Sequence, residues 1–274
     1  MTPTGPRDHP GPQRVFLHGA FDARSMAAIK GHRRISVCIP ARNEAMTIGT
    51  IVETIVTTLT DRSGGVPLVD ELVVIDDGST DGTGELAEQA GARVVGTDTG
   101  RGSGFGGKGQ AMRAGLEAAG GDLIAFVDAD VTNFGPHFVT GLLGPLLVDE
   151  TTTLVKGFYQ RPLHGAPDGG GRVTELMARP VIDLLFPELS GIIQPLAGET
   201  AAPRWVLDKC GLADGYAVEL ALLVDVAARC GADTIAQVDL GVRVHRNRPL
   251  TELRPQATDI LRTALSRAGV DDTH

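Results

Sequence analysis

The chain has 274 residues, 42% of them hydrophobic but only 4% aromatic, so Ala, Val, Leu and Ile must fill its core. A formal net charge of −9 argues against a general nucleic-acid binder, whose affinity rests on neutralising phosphates. An acidic whole still leaves room for a local Arg and Lys cluster that takes a small anionic substrate.

Residues 1 to about 14 are rich in Pro, Gly and polar groups and read as a mobile tail, with a lead-in to about residue 30. Ile35–Ile39 is then a short apolar, β-branched run that ends at Pro40. Met46 to Leu59 is helical in length and composition, and Glu71–Ile75 is a second strand ending at Asp76-Asp77-Gly78. Asp81 to Ala90 reads as a helix, Ala92–Val95 as a strand, Lys108 to Ala119 as a helix and Leu123–Val127 as a strand. Continuous apolar strands separated by helices predict an α/β fold with a largely parallel sheet covered on both faces. In such a sheet, ligands bind beyond the carboxyl ends of the strands. Pro40 to Glu44, Asp76 to Ser79 and Asp128-Ala129-Asp130 all fall at that edge.

Further along, Thr153 to Tyr159 and Thr234 to Val244 read as strands, and Tyr216 to Arg229 as a buried helix. Arg172-Val173-Thr174 opens an amphipathic segment after Gly169-Gly170-Gly171, and a last helix is predicted from about Thr251 to Ala268. No apolar run approaches the roughly 20 residues of a membrane span. Three widely separated cysteines, Cys38, Cys210 and Cys230, form no zinc or disulfide spacing and fit a reducing cytoplasm.

Two patterns between Gly96 and Lys108 compete for attention. Gly102 to Gly107 satisfies GxGxxG, but at the third strand–helix junction and in a long loop, unlike a dinucleotide fingerprint. The same stretch nearly spells a phosphate-binding P-loop, with Gly109 where Ser or Thr would hold magnesium. What survives is a loop, from Thr97 to Gly107, that delivers Lys108 to a helix start, as a lid carrying a cation over a diphosphate would.

Asp128 and Asp130 stand where a buried strand meets solvent. Paired carboxylates there suit a divalent cation with hard oxygen ligands, and equally an ordinary solvated turn. Glu219 lies among Ala, Val and Leu, so it needs a partner, a raised pKa or an exposed first helical turn.

The order Pro40-Ala-Arg-Asn-Glu44, Asp76-Asp-Gly-Ser-Thr80 and Asp128-Ala-Asp130 resembles the GT-A glycosyltransferases. Lys156-Gly-Phe-Tyr-Gln-Arg-Pro-Leu163, Gly169-Gly-Gly-Arg-Val-Thr-Glu-Leu176, Gln194-Pro-Leu-Ala-Gly-Glu199, Gly215-Tyr-Ala-Val-Glu219 and the run from Ala236 to Pro249 narrow this. They are similar to the actinobacterial glucosyl-3-phosphoglycerate synthase family, over roughly residues 20 to 268. The resemblance implies a GT-A fold: a Rossmann-like, mixed but mainly parallel sheet flanked by helices. It implies a nucleotide-sugar half at 31–160 and an acceptor-binding half at 161–274 within one continuous domain.

It also implies transfer of glucose from UDP-glucose to the 2-hydroxyl of 3-phosphoglycerate, with retention at the anomeric carbon. The family's product feeds glucosylglycerate and methylglucose lipopolysaccharide synthesis. Alternatives are the mannosyl product from GDP-mannose and a non-catalytic nucleotide-sugar sensor. Pro40, Ala41, Arg42, Glu44, Asp77, Lys108, Asp128 and Ala129 would take the donor. Gly171, Arg172, Val173, Thr174, Tyr216 and Asn247 would take the acceptor. Asp130 and His245 would hold Mg²⁺ or Mn²⁺, and Glu219, Asp130 and Lys108 would serve catalysis. The resemblance suggests a homodimer. Arg42 replaces an apolar residue of the family's donor turn, and Ala129 replaces a Ser.

Overall fold

In a computed structural model, residues 14–60, 65–97, 107–161, 171–244 and 250–270 are described. In chain order the elements are β1 (Arg14–Leu17), α1 (Ala23–Ile29), β2 (Ile35–Ala41), α2 (Ile48–Leu59), β3 (Glu71–Asp76), α3 (Thr83–Gln89), β4 (Arg93–Gly96), α4 (Lys108–Ala118) and β5 (Leu123–Phe126). The second half adds α5 (His137–Val148), β6 (Leu154–Gln160), α6 (Arg179–Leu185), β7 (Thr200–Pro203), α7 (Arg204–Cys210), α8 (Val218–Cys230), β8 (Ile235–Val242) and α9 (Leu250–Arg267). Every strand and helix anticipated from the sequence is present, with boundaries moved by a few residues.

One eight-stranded sheet has the order β1-β8-β6-β7-β5-β2-β3-β4. Only β7 runs against its neighbours, pairing antiparallel with both β5 and β6. The remaining pairs are parallel, so the carboxyl ends of β2, β3, β5, β6 and β8 open at one edge. Because β7 is reversed, it is its start, just after Glu199, that lies at that edge. Glu199 is thereby carried beneath the ends of β5, β6 and β8 from a segment with no strand periodicity.

The sheet separates two hydrophobic clusters. On one face α2 packs Ile48, Ile51, Val52 and Ile55 against Val37, Ile39 and Val74, joined by Phe138 and Leu142 of α5. On the other, Met112 and Leu116 of α4 meet Ile75, Phe126 and the Leu220–Leu223 stretch of α8. Residues of successive positions on β2, β3 and β5 are buried, as expected of strands covered on both sides. Among the described residues no helix is long and apolar enough to cross a membrane. The three cysteines are free.

Candidate active site

The turn after β2 is braced by hydrogen bonds to the residues that follow β3. After β2 the chain turns through Asn43, whose φ of 56° is the sole positive value at a non-glycine residue among those described. Its amide donates to Ser79 Oγ at 2.9 Å, and its side-chain oxygen accepts from the Thr80 amide at 2.9 Å. The Glu44 amide donates to Thr83 Oγ1, and the Ala45 amide to Asp81. Asp77, 9% exposed, accepts from Thr97 Oγ1 at 2.9 Å and lies 3.5 Å from the Arg42 guanidinium. Thr47 donates its hydroxyl to the Ala129 carbonyl at 2.6 Å, tying the turn after β2 to the acidic motif.

The acidic pair is surrounded by cations. Lys108, first residue of α4, reaches Asp128 Oδ1 at 2.5 Å and Glu219 Oε1 at 2.8 Å. Glu219 is 7% exposed at the second position of α8, so its partner is Lys108. Arg243 places one nitrogen 2.8 Å from Asp128 and 2.5 Å from Asp130. Its other nitrogen meets Glu199 at 3.3 Å and the Tyr159 hydroxyl. Burial pushes the Asp128 carboxyl up, but Lys108 and Arg243 outweigh it and hold the group well below the usual carboxylate range. Burial lowers the Lys108 ammonium, yet Asp128 and Glu219 more than reverse that. Glu199, fully buried, is pushed upward by desolvation, with Arg243 pulling the other way.

Two glycines close the site. A Cβ at Gly198 would fall against the Lys108 ammonium and the Asp128 carboxylate, so a larger residue there would displace that ion pair. A Cβ at Gly109 would lie 1.9 Å from the Ala213 carbonyl. The Ser or Thr of a P-loop has no room there, and that sequence pattern is set aside. Gly102 to Gly106, and the lid proper from 98 to 106, lie outside the described residues.

These groups line a cleft of about 520 Å³. Pro40, Ala41, Arg42, Glu44 and Asp77 line it, together with Asp128, Ala129, Asp130, Lys108 and Glu219. Gly171, Arg172, Val173, Thr174 and Tyr216 line the same cleft. Arg172 opens a helical stretch whose turn at Thr174–Ala178 is widened to π-type, a distortion common at functional sites. His245 and Asn247 lie outside the described residues.

The carboxylates of Asp128 and Asp130 converge on one cationic nitrogen of Arg243. Both therefore present hard oxygens to a single positive centre, as a divalent metal requires. The donor set fits Mg²⁺ or Mn²⁺, with Asp130 bordering the cleft at 27% side-chain exposure. Among the described residues no cluster of three His, Cys, Asp or Glu side chains completes such a site.

Sequence reasoning assigned no role to Arg243, Glu199 or Tyr159, although all three stand in the motifs compared. The available signal was inverted alternation at the end of β8: Val242 and Val244 are exposed and Arg243 between them is buried. The segment is held in place by Asn133, whose side chain donates to the Val242 carbonyl at 2.7 Å and accepts from the Val244 amide at 2.9 Å. The Thr132 amide donates to the Val244 carbonyl at 3.0 Å. The chain leading to His245 is thus fixed against residues that follow Asp130.

Lys156 of β6 is a further buried cation, 2% exposed, donating to the Ala197 carbonyl at 2.5 Å. Burial pulls its ammonium down from 10.5 to about 8. Between those values the unfolded chain retains a proton that the folded chain has shed, so this group raises stability as pH rises. Wild type should therefore gain in Tm on a Lys156→Met variant between pH 7 and 10. A difference that stays constant across that range would contradict the assignment.

Residues 36–176 match the family described as Glycosyl transferase family 2. Sheet, cleft and family together define a glycosyltransferase with the GT-A fold. The chain is 50% identical over 260 residues to glucosyl-3-phosphoglycerate synthase of Mycolicibacterium smegmatis, covering 93% of this chain and 84% of that protein. It is 42% identical over 264 residues to the synthase of Petrotoga mobilis, covering 93% of this chain and 80% of that one. A crystal structure of the Mycobacterium tuberculosis enzyme with Mn²⁺, UDP-glucose and phosphoglyceric acid superposes with a TM-score of 0.85. It is 43% identical, and the match covers 96% of this chain and 90% of that one. The chain belongs to the glucosyl-3-phosphoglycerate synthase family.

Proposed function

We propose that the chain transfers glucose from UDP-glucose to the 2-hydroxyl of 3-phosphoglycerate, with retention of anomeric configuration and dependence on Mg²⁺ or Mn²⁺. The observation that carries this is one cleft in which the braced donor turn, the acidic pair and the Gly171–Thr174 turn all open. Relatives with these substrates in their names or crystals support the choice of donor and acceptor.

The donor nucleotide lies along Pro40 to Glu44, with Glu44 taking ribose hydroxyls and Asp77 the base. Asp130 holds the metal, together with His245. A bound Mg²⁺ or Mn²⁺ supplies a Lewis acid that neutralises the departing diphosphate. Lys108 adds a fixed positive charge at the same place, kept ionised by Asp128 and Glu219. Glu219 is neutralised by Lys108 and nearly buried, which supports a positioning role at the sugar over that of a free nucleophile. The bond from C1 to the diphosphate breaks and one from C1 to the acceptor oxygen forms on the same face. The acceptor's proton leaves with the diphosphate oxygen.

Arg172, Thr174 and the backbone beside Gly171 receive the acceptor's anionic groups, with Val173, Tyr216 and Asn247 as further acceptor residues. Residues 31–160 then act as the donor half and 161–274 as the acceptor half of one domain. The reading includes a cytoplasmic setting, supported by three free cysteines, and a homodimer. Leu176 and Leu184, 80% and 81% exposed, offer apolar surface for a second copy.

A panel of nucleotide sugars with Mg²⁺, with and without 3-phosphoglycerate, tests the assignment. Nucleotide release should require UDP-glucose and acceptor together; release with GDP-mannose alone would select the mannosyl reaction. Arg172→Ala should raise the acceptor KM about 10- to 100-fold, the loss of one charged hydrogen-bonding contact. The donor KM should change far less, and the opposite pattern would refute the placement.

A further inference from the structure

Arg161, just beyond β6, lines the same cleft as Arg172 and Thr174, and its guanidinium lies 3.6 Å from where a Cβ on Gly171 would stand. Its guanidinium stacks on the Tyr159 ring at 4.8 Å from the centroid, and one nitrogen donates to the Tyr159 hydroxyl at 3.0 Å. The group is therefore fixed in place before a ligand arrives. It is partly buried, and its Nε is fully buried with no hydrogen-bond partner among the described residues. Among the described residues no carboxylate reaches it, whereas Lys108 pairs with two and Arg243 with three.

Tyr159 does not neutralise it. The phenol donates its proton to Glu199 Oε2 at 2.9 Å and accepts from both guanidinium groups. Burial raises its pKa further, so it remains a neutral hydroxyl. A half-buried, immobilised guanidinium with no counter-ion among the described residues, facing a cleft, is a site for an external anion.

We infer that Arg161 is a specificity-determining residue that binds one of the two anionic groups of the acceptor, while Arg172 binds the other; this rests on the proposed acceptor. The pair explains how a small molecule with a phosphate and a carboxylate is distinguished from one carrying a single anion. A lone arginine at Arg172 would accept either class.

Calorimetric binding of 3-phosphoglycerate, glycerol 3-phosphate and glycerate to wild type, Arg161→Gln, Arg161→Lys and Arg172→Gln decides the point. Arg161→Gln should weaken 3-phosphoglycerate about 10- to 100-fold. It should weaken only one of the two single-anion probes, and Arg172→Gln should weaken the other. Arg161→Lys, which keeps the charge and loses the fork, should fall between, and it provides the same readout if the Gln variant does not fold. UDP-glucose binding should stay within about two-fold in all of them, a smaller change than one charged contact. Unchanged 3-phosphoglycerate binding in Arg161→Gln, or equal weakening of both probes and of UDP-glucose, would overturn the inference. A wild type that binds 3-phosphoglycerate but transfers no glucose would overturn the proposed function, with Arg161 still decided by these affinities.

Discussion

Asp130→Ala is expected to abolish metal-dependent glucose transfer while leaving the chain folded. Asp130 borders the cleft with 27% of its side chain exposed, and it pairs with Arg243. In the variant, Arg243 keeps Asp128 at 2.8 Å and Glu199 at 3.3 Å, so the buried guanidinium is not abandoned. A metal contributes several kcal/mol to stabilising charge on a leaving group. Losing it should lower kcat by about three orders of magnitude. Mn²⁺ binding, followed by electron paramagnetic resonance without substrates, should weaken in parallel. Metal binding and turnover that both survive would remove Asp130 from the metal site.

Glu199→Ala should act on stability. Glu199 is fully buried and is the inner partner of both Arg243 and the Tyr159 hydroxyl. Removing one member of a buried ion pair costs about 3–5 kcal/mol, since the remaining charge loses its partner. Arg243 retains Asp128 and Asp130, which favours the lower part of that range. For a chain of this size the Tm should fall by about 6–20 °C. Glu199→Gln keeps an acceptor for the phenol and should lose less. A melting temperature unchanged by Glu199→Ala would show that Arg243 is held by the acidic pair alone.

The two substitutions separate the cleft's outer and inner layers, and that layering was the part hardest to see in the sequence. The parallel strands were legible because β2, β3 and β5 are continuous apolar runs bounded by helices. The acidic pair, the donor turn and the Gly171–Thr174 turn were legible because each falls at a strand end or helix start. By contrast, Thr200–Pro203 is four small residues with no alternation, and its strand character comes from lying between β5 and β6. Glu199 depends on that placement, so its role was hidden with it. Helix α5 is apolar nearly all round and contains Gly141, Gly144 and Pro145, so no amphipathic period announced it.

Lys108 shows a different limit. Sequence placed it at the end of a loop as a cation over the donor. The structure keeps it at that helix start but gives it two carboxylates, Asp128 and Glu219. Such pairing joins residues 108, 128 and 219, which only the assembled sheet brings together. Burial of Glu219 is thereby accounted for without a free catalytic carboxylate.

The most direct test of the account is identification of the product. Purified chain, UDP-glucose, 3-phosphoglycerate and Mg²⁺ should yield UDP and one new compound with the mass of glucosyl-3-phosphoglycerate. Proton NMR should show an α-anomeric glucose linked at carbon 2, and chelation of the metal should prevent its formation. UDP-glucose left intact, or a β-linked product, would contradict the account.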